Sequence, residues 1–495
     1  MKKIIYTFFL VLLSSLFIFI IYLSTVGIET SKFNNIIINE INKKDSNIKL
    51  SLGKIKLKLD IKKIQIYLST AEPQIIYQNV KIPIKEISLY TKIISILKSK
   101  IEINQAIVSL ENFKIKDIQK IAARIKPSNF KTYLLNNLSD GEIEEILIDV
   151  KLNKNLKIND YKINGSAKKI NIKVLNNLLI EDISLNFISD KNLTLINSLN
   201  AKYEGISISN GTINLKRDKK IEVKGKFNSQ FSLGEDVIKI LFSKLNIKFL
   251  EKNKVNVNGS LLHSFSLKID ENFRLIDYDY KSKGSISESQ IVLKNNFESD
   301  FIKKKIKKIL ISKTNLEINI NKKNNNLLIL DGLYSLGGME YKKFKISHDL
   351  NKKKSQYLID FNLNENIFLE LINFKTNYKN QSNIKSEIKF INNNIIFNYI
   401  KFTEGKNSIS IKDLKLNSNY ELASIAAAEV QTFNNNVENN DFKIFFNKKI
   451  SIIGNKYDAT NLFKQFSSEN ETMPLKNYTK NIEIKLNSLI TKSQI

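Results

Sequence analysis

The sequence predicts a mainly β protein, in which an N-terminal transmembrane helix is followed by an elongated, curled antiparallel β-sheet with a few short amphipathic helices. Two observations lead to this prediction. Residues 4–26 form an uncharged apolar run of 23 residues, which is long enough to cross a bilayer as a helix. Beyond it, apolar and polar residues alternate with a period of two over most of the chain, as in strands with one dry and one wet face.

Composition bounds the class of protein. A chain of 495 residues with 42% hydrophobic residues is large enough for several domains or for one repetitive body. The net charge of +29 arises mostly from Lys, which together with Ile and Asn crowds the whole chain. A compositional bias explains this charge, and affinity for an anionic membrane is the alternative. The lysines are not interleaved with aromatic residues on one stripe, which disfavours nucleic acid.

The flanks of the apolar run indicate an uncleaved signal anchor. Lys2 and Lys3 precede the run, and no convincing small-residue cleavage site follows it. Most positive charge lies after the run, which taken alone argues for a cytoplasmic body. The positive-inside bias acts over short flanking segments, however, while long domains cross largely regardless of charge. We therefore expect the bulk of the chain to be extracytoplasmic.

Helical periodicity and turn residues divide the alternating pattern. We expect short helices over 30–44, 89–98, 234–245 and 422–433, and another that Asp458 caps. Asn210-Gly211 predicts a hairpin turn, as do residues 217–220 and 270–272. Gly165, Gly225, Gly259 and Gly284 lie inside strand pattern, where they mark either bends of a curling sheet or ordinary turns.

No catalytic or metal-binding constellation is apparent. The chain has no Cys, which excludes disulfides and thiolate chemistry, and its two His residues are too few for most His-rich metal sites. Glu144 and Glu145 beside Asp149 fit a solvated face better than an acid/base pair. His263 is expected to be structural and His348 to lie on the surface. We predict a protein that is not an enzyme and uses no cofactor or metal.

The dry face of the strands is the candidate functional surface. A second sheet or closure into a barrel would cover such a face, whereas an open, concave sheet would offer it to a ligand. The membrane anchor favours the open form with a lipid in the groove. The predicted groove-lining residues are Leu57, Leu59, Ile103, Ile172, Val174, Leu185, Phe187, Ile208, Ile213, Leu215, Ile221, Val223, Leu267, Ile269, Ile318 and Ile411.

A basic run at 301–311 is the sharpest local feature. Ile302, Ile306 and Ile309 would share one face of a helix, with lysines around them, as in helices that lie on anionic membranes. A solvated helix or a loop packed on the sheet fits the same residues. The membrane-surface candidates are Lys303, Lys304, Lys305, Lys307 and Lys308.

The order of elements resembles that of AsmA-like envelope proteins, and it is most similar to the TamB/YhdP branch. The resemblance rests on the anchor and on three following segments: K-L-S-L-G-K-I-K-L-K-L, S-L-Y-T-K-I-I-S-I-L-K and K-I-E-I-N-Q-A-I-V-S-L-E-N-F. Near the other end, K-I-S-I-I-G-N-K-Y-D-A-T-N-L-F-K-Q-F is similar to a strand–G-x-x-x-D-A–helix element of YhdP-like members, carried by Gly454, Asp458 and Ala459.

This resemblance implies a repeating β-groove that carries phospholipid from the inner to the outer membrane. It implies three segments: 1–28, a cytoplasmic stub and signal anchor; 29–135, an N-terminal α+β segment; and 136–495, the groove, which ends as a short member or in mid-repeat. Expected partners are membrane phospholipids, the inner membrane and envelope proteins, but not nucleic acid. The expected location is the inner membrane, single-pass, with the bulk in the periplasm. A scaffold for outer-membrane protein assembly and a structural protein of the cell surface are the alternatives.

Overall fold

The computed structural model describes most of the chain. The described residues are 2–31, 34–44, 47–77, 79–93, 102–123, 132, 135–153, 155, 157–174, 178–218, 220–244, 254–271, 274–299, 302–323, 326–350, 355–363, 367–377, 380–391, 394–417, 421–447, 449–461 and 481–491.

The protein is mainly β, with a large mixed sheet and one apolar N-terminal helix, which confirms the predicted class. The α-helices are α1 Lys2–Thr25, α2 Asn34–Lys44, α3 Ile115–Ala123 and α4 Glu235–Lys244. Helix α1 is long and apolar enough to span a membrane, and its side chains are exposed along most of its length. This helix is consistent with the predicted single-pass anchor.

The first fifteen strands are β1 Ile28–Thr30, β2 Ile48–Ser51, β3 Ile55–Asp60, β4 Gln65–Ala71, β5 Gln74–Tyr77, β6 Val80–Ile82, β7 Ile84–Lys92, β8 Ile103–Lys114, β9 Leu138–Leu152, β10 Ile158–Val174, β11 Leu178–Asp190, β12 Leu193–Tyr203, β13 Ile206–Arg217, β14 Ile221–Leu233 and β15 Lys254–Ile269.

The later strands are β16 Leu275–Ser299, β17 Ile302–Asn321, β18 Leu327–Leu336, β19 Lys342–Asp349, β20 Ser355–Leu363, β21 Phe368–Leu369, β22 Phe374–Lys375, β23 Ser382–Ile391, β24 Asn394–Glu404, β25 Asn407–Leu416, β26 Leu422–Ser424, β27 Ala427–Asn434, β28 Val437–Phe446, β29 Ile450–Asp458 and β30 Ile482–Ile490. A 3-10 helix, Glu370–Ile372, lies between β21 and β22.

The chain divides into two compact units. Unit 1 comprises Met1–Tyr203, Ser207–Asn228 and Ser266–Ile276. Its antiparallel ladder runs from β1 through β3, β4, β7, β8, β9, β10 and β11 to β12. Strands β2, β5 and β6 form a separate small sheet.

Unit 2 comprises Glu204–Ile206, Ser229–Phe265 and Asp277–Ile495. Its ladder runs antiparallel from β16 through β17, β18, β19, β20, β23, β24, β25, β27 and β28 to β29. Strand β30 pairs with β29 in parallel, which makes the sheet mixed.

One predicted helix is a strand throughout its described residues, and another is a strand in its first part. The predicted helix over 89–98 is wrong for residues 89–92, which belong to β7, while 94–98 lie outside the described residues. The Ala-rich segment 422–433 forms β26 and most of β27, and Val430 of β27 is buried between β25 and β28. In both cases pairing with neighbouring strands overrides the local helical pattern.

The Asn210-Gly211 pair is not a hairpin turn. Strand β13 continues through it, and Asn210 has a φ of 52° inside the strand. The chain reverses instead at Glu204-Gly205, where both residues have positive φ. At the other two predicted turns the strands are interrupted, because β13 ends at Arg217 before β14 begins at Ile221, and β15 ends at Ile269 before β16 begins at Leu275. Helices α2 and α4 fall inside the ranges predicted for them.

Candidate functional site: the apolar face

The strands of unit 1 share one apolar face. Leu57 pairs with Leu68, and the same row of partners continues through Leu89, Ala106 and Val150. Directly paired residues lie on the same side of a sheet, so these side chains share a face. The row one residue away is almost entirely polar and consists of Lys56, Ser69, Ser88, Ile107, Asp149, Lys162 and Asp190.

Unit 2 repeats this division between an apolar and a polar face. One row of partners consists of Leu316, Leu330, Ile346, Ile359, Ser386, Ile400, Ile411, Ala428, Ile444 and Ile452. A neighbouring row on the opposite face consists of Asn315, Asp331, Lys345, Asp360, Lys385, Lys401, Ser410, Glu429 and Lys443. Ion pairs join members of that polar row, with Lys385 Nζ 3.2 Å from Asp360 Oδ2 and Lys443 Nζ 2.8 Å from Glu429 Oε1.

The register places eight of the predicted groove residues on these apolar faces. They are Leu57, Leu59, Ile103, Ile172, Leu185 and Phe187 in unit 1, and Ile318 and Ile411 in unit 2. Seven others lie on β13, β14 and β15, namely Ile208, Ile213, Leu215, Ile221, Val223, Leu267 and Ile269. The side chain of Val174 lies outside the described set.

The predicted groove residues of β13 do not keep a strict period of two. Ile208 and Ile213 are five positions apart, which in a regular strand would put them on opposite faces. Between them, Asn210 has a φ of 52°, a conformation that bulge residues adopt, and a bulge of one residue there would return both side chains to the same face.

The predicted groove residues are only partly covered. Each of the fifteen whose side chains are described is half-buried, neither enclosed by protein nor fully exposed. Full burial of apolar side chains within unit 2 is most concentrated towards its C-terminal strands, where Val430, Phe442, Tyr457 and Ala459 form a cluster. The reason is a short segment that covers this part of the face.

Residues 367–377, which we name the cap, lie over the apolar face of the last strands. Ile372 packs against the cluster of Val430 and Phe442, and Phe374 is 3% exposed. The Phe374 ring meets that of Phe402 edge-on, with centroids 5.8 Å apart. The sequence analysis missed this element. Its signal is the adjacent apolar residues in I-F-L-E-L-I-N-F, which lack the period of two that a half-exposed strand shows.

Hydrogen bonds also hold the cap against the last strands. The Tyr457 hydroxyl donates to the backbone carbonyl of Leu371 (2.9 Å), and the Asn440 amide donates to that of Ile372 (2.7 Å). The Asn373 amide donates to Asp458 Oδ2 (2.9 Å). The cap is thus tied to β28 and to the end of β29 by buried polar contacts as well as by apolar packing.

Asp458 is the centre of this polar network. It is 4% exposed and accepts hydrogen bonds from Asn373, from Asn439 (3.2 Å) and from the Thr460 hydroxyl (2.6 Å). Desolvation alone would raise the pKa of Asp458, but these donors outweigh it and the pKa lies below its ordinary value. Asp458 therefore stays ionised at neutral pH. Together with Ala459, which is 1% exposed, it belongs to the G-x-x-x-D-A element noted in the sequence.

Both histidines lie within strands and are buried. His348 was expected on the surface, but it is 5% exposed in β19 and its ring stacks on Tyr357 with centroids 3.9 Å apart. His263 is 7% exposed in β15 and contacts Ser229 and Tyr280. Desolvation lowers the pKa of both imidazoles, so both are neutral at pH 7.

The basic run lies in β17 and not in a helix. The β-strand begins at Ile302, where it pairs with Ser299, and Ile306 is buried opposite Phe297. Pairing with β16 therefore overrides the helical spacing of the isoleucines. Lys305, Lys307 and Lys308 are exposed on this strand, whereas the side chains of Lys303 and Lys304 lie outside the described set. The described residues include no group of three or more acidic or His side chains placed to hold a metal ion.

The fold and the site together define a mainly β protein with a candidate membrane span and a one-sided apolar face. No protein-family model, no curated protein and no solved structure matches this chain.

Proposed function

We propose that this protein is a membrane-anchored lipid-binding protein, not an enzyme, that holds phospholipid acyl chains against its apolar face. We further propose that it conducts lipid from the inner membrane, through the periplasm, towards the outer membrane. The observation that carries the proposal is the apolar face itself: in each unit, successive strands contribute aliphatic side chains to it, and those side chains remain half-buried.

The energetics of lipid transfer support such a role. Exposing one methylene group to water costs about 0.8 kcal/mol, so a sixteen-carbon chain costs on the order of 13 kcal/mol. A surface that offers aliphatic contacts at every step removes most of this barrier, because each advance replaces one apolar contact with another. On the opposite face of unit 2, exposed charged residues such as Lys385 and Lys443 favour contact with water.

Repeated bulges support a curled sheet, and hence a groove. The register shifts in the interiors of strands β10, β11 and β12, and a residue with positive φ lies at each shift: Lys169, Asp182 and Ser198. A bulge bends its strand and increases the local twist, and repeated bulges curve a sheet. A curved sheet with its apolar side inward would surround an acyl chain better than a flat one.

A pair of adjacent substitutions tests the proposal. Ile411 and Ser410 are neighbours in β25, the first in the apolar row and the second in the polar row. We expect phospholipid to co-purify with the full-length wild type and with Ser410→Lys, and to be lost at least tenfold in Ile411→Lys, because a buried ammonium group is incompatible with an acyl chain. Quantitative mass spectrometry of extracted lipid measures this, with circular dichroism to verify folding.

The outcomes separate the alternatives. Equal lipid in all three proteins would place the lipid elsewhere, and no lipid in the wild type would contradict lipid binding. In the latter case, capture of an outer-membrane protein by cross-linking to the full-length chain would favour the assembly scaffold.

A further inference from the structure

Four polar side chains interrupt the apolar face of unit 2 at one place. Tyr280 and Ser282 of β16 pair with Ile320 and Ile318, so their side chains lie on the apolar side of the sheet. His263 of β15 contacts Tyr280, and Ser229 of β14 contacts His263. Ser229, His263 and Ser282 are 4%, 7% and 3% exposed. Such groups are costly to bury in an apolar surface unless they have hydrogen-bond partners.

The first three residues form a chain of hydrogen bonds. Ser229 Oγ lies 2.7 Å from His263 Nε2, and His263 Nδ1 lies 2.8 Å from the Tyr280 hydroxyl oxygen. A neutral imidazole carries one N–H donor and one acceptor nitrogen. The chain therefore has three donor hydrogens, from Ser, His and Tyr, and these two bonds use two of them. In either tautomer, one hydroxyl hydrogen remains for a further acceptor, at Tyr280 or at Ser229.

Ser282 adds a second hydroxyl at the Tyr280 end. Burial raises the pKa of Tyr280, and the nearby Ser282 hydroxyl opposes part of that rise. Ser282 Oγ is nevertheless buried without a hydrogen bond of ordinary geometry to any described residue. Tyr280 itself is only half-buried, so it is the member of the cluster that is most accessible to a ligand on the apolar face.

The surplus of donors defines the ligand. A matching group must accept a hydrogen bond and tolerate an apolar surface. It must also be uncharged, because the cluster offers no cation to a buried anion. The ester carbonyl of an acyl lipid meets all of these conditions, since it joins an acceptor oxygen directly to the hydrocarbon chain. A phosphate group fails the last condition.

We propose that Ser229, His263, Tyr280 and Ser282 form a binding site for the ester carbonyl groups of an acyl lipid. The proposal rests on the proposed function, because it needs acyl chains on the apolar face. It adds a position for the lipid: the glycerol end binds at β14–β16, while the acyl chains lie along the aliphatic rows.

Ether lipids test this site, because they keep the chains and the headgroup but lack the carbonyl oxygens. The full-length protein in detergent is titrated with dioleoyl phosphatidylglycerol and with its dialkyl ether analogue, and binding is followed by native mass spectrometry. We expect wild type to prefer the ester lipid about fivefold, the factor that one net hydrogen bond supplies. Tyr280→Phe should lose that preference and bind both lipids as wild type binds the ether.

Tyr399→Phe is the matched control. It removes the same hydroxyl from an exposed tyrosine, paired with Glu387 and Lys412 on the polar face, and should keep the fivefold preference. Ser282→Ala, which removes the second hydroxyl at the Tyr280 end, should also reduce the preference, and it tests the site if Tyr280→Phe does not fold. Equal binding of both lipids by wild type, or a full preference that survives in Tyr280→Phe or Ser282→Ala, would overturn the site while leaving lipid binding intact. Binding of neither lipid would overturn the proposed function with it.

Discussion

Gly165 lies where two neighbouring strands leave no room for a side chain. A Cβ at this position would lie 2.7 Å from the Phe187 ring and 2.8 Å from the Glu145 carbonyl oxygen. Gly165 pairs directly with Phe187, so the ring covers the backbone that the missing side chain exposes. Gly165 is therefore not an ordinary turn residue, because it lies inside β10 where two neighbouring strands approach closely, and the predicted bend stays a prediction.

We expect Gly165→Ala to lower the free energy of unfolding by about 1–3 kcal/mol, the usual effect of overpacking. Thermal and denaturant unfolding of the full-length protein measures this. Gly53→Ala is the control, because a Cβ there meets nothing within 4 Å, and its stability should match that of wild type. Equal destabilisation by the two substitutions would contradict the explanation.

Asn210 shows why a single residue pair does not predict a turn reliably. Asn tolerates a positive φ, and Gly beside it permits close approach, whether the pair sits in a hairpin turn or in a bulge. Local chemistry alone therefore does not distinguish the two. The deciding factor is the position of the chain reversal, which falls at Glu204-Gly205 and leaves the Asn-Gly pair inside β13.

Among the elements, the cap has the most specific packing. Phe374 is enclosed against Phe402, whereas Leu371, three residues earlier in the same segment, is 38% exposed. The two side chains belong to one element but differ in what they contact. They form a natural pair for measuring how firmly the cap is held.

We expect Phe374→Ala to weaken docking of the cap by about 3–5 kcal/mol, the usual loss for a buried Phe. Hydrogen exchange at the backbone amides of 367–377 should then accelerate by at least a hundredfold, unless global unfolding limits it first. Leu371→Ala should change exchange by less than tenfold. Similar exchange in both variants would show that hydrogen bonds to Asp458 and Asn440, and not the Phe374 contact, hold the cap.

Hydrophobic periodicity was sufficient to predict some of the helices and strands. Helix α4 and the alternating strands were predictable, because each side-chain pattern matches one period over a long segment. The structure of segment 422–433 was not predictable, because its alanines fit a helix as well as a strand. The pairing of Val430 with β25 and β28 is what makes the segment a strand. The cap was not predictable either, because its contacts join residues far apart in the chain.

At the scale of the whole molecule, the net charge of +29 bears on contact with anionic membranes. Charges on the polar face act at long range, and each Lys close to an anionic membrane contributes about 1 kcal/mol. The three exposed lysines at the start of β17 are the densest candidate for such a contact. The sequence predicted their membrane role from a helical pattern, and that role stays a prediction although the helix is a strand.

We expect the protein, anchored in neutral liposomes, to tether vesicles containing phosphatidylglycerol but not neutral vesicles. Tethering should weaken steeply as salt rises, because surface charges are screened over about 10 Å at 0.1 M. Reversing two charges, Lys307→Glu with Lys308→Glu, should reduce tethering about tenfold or more. The control pair, Lys401→Glu with Lys412→Glu, makes the same change of charge elsewhere on exposed residues. Equal losses would indicate that only the total charge matters.

The one-sided character of the sheet was predictable for the whole molecule, because alternation fixes which residues share a face once strands pair. Whether that face is open and curved was not predictable, because it depends on bulges such as that at Lys169 and on segments that fold back over the strands.

The cap also sets a threshold for any ligand that needs the surface beneath it. A molecule can bind Val430 and Phe442 only when the cap is undocked. Its apparent affinity is therefore lowered in proportion to the fraction of protein in the undocked state. If docking is favourable by about 3 kcal/mol, that fraction is below about one per cent. The last strands then form a latent binding site. Its occupancy depends on the docking free energy of the cap as much as on the affinity of the ligand.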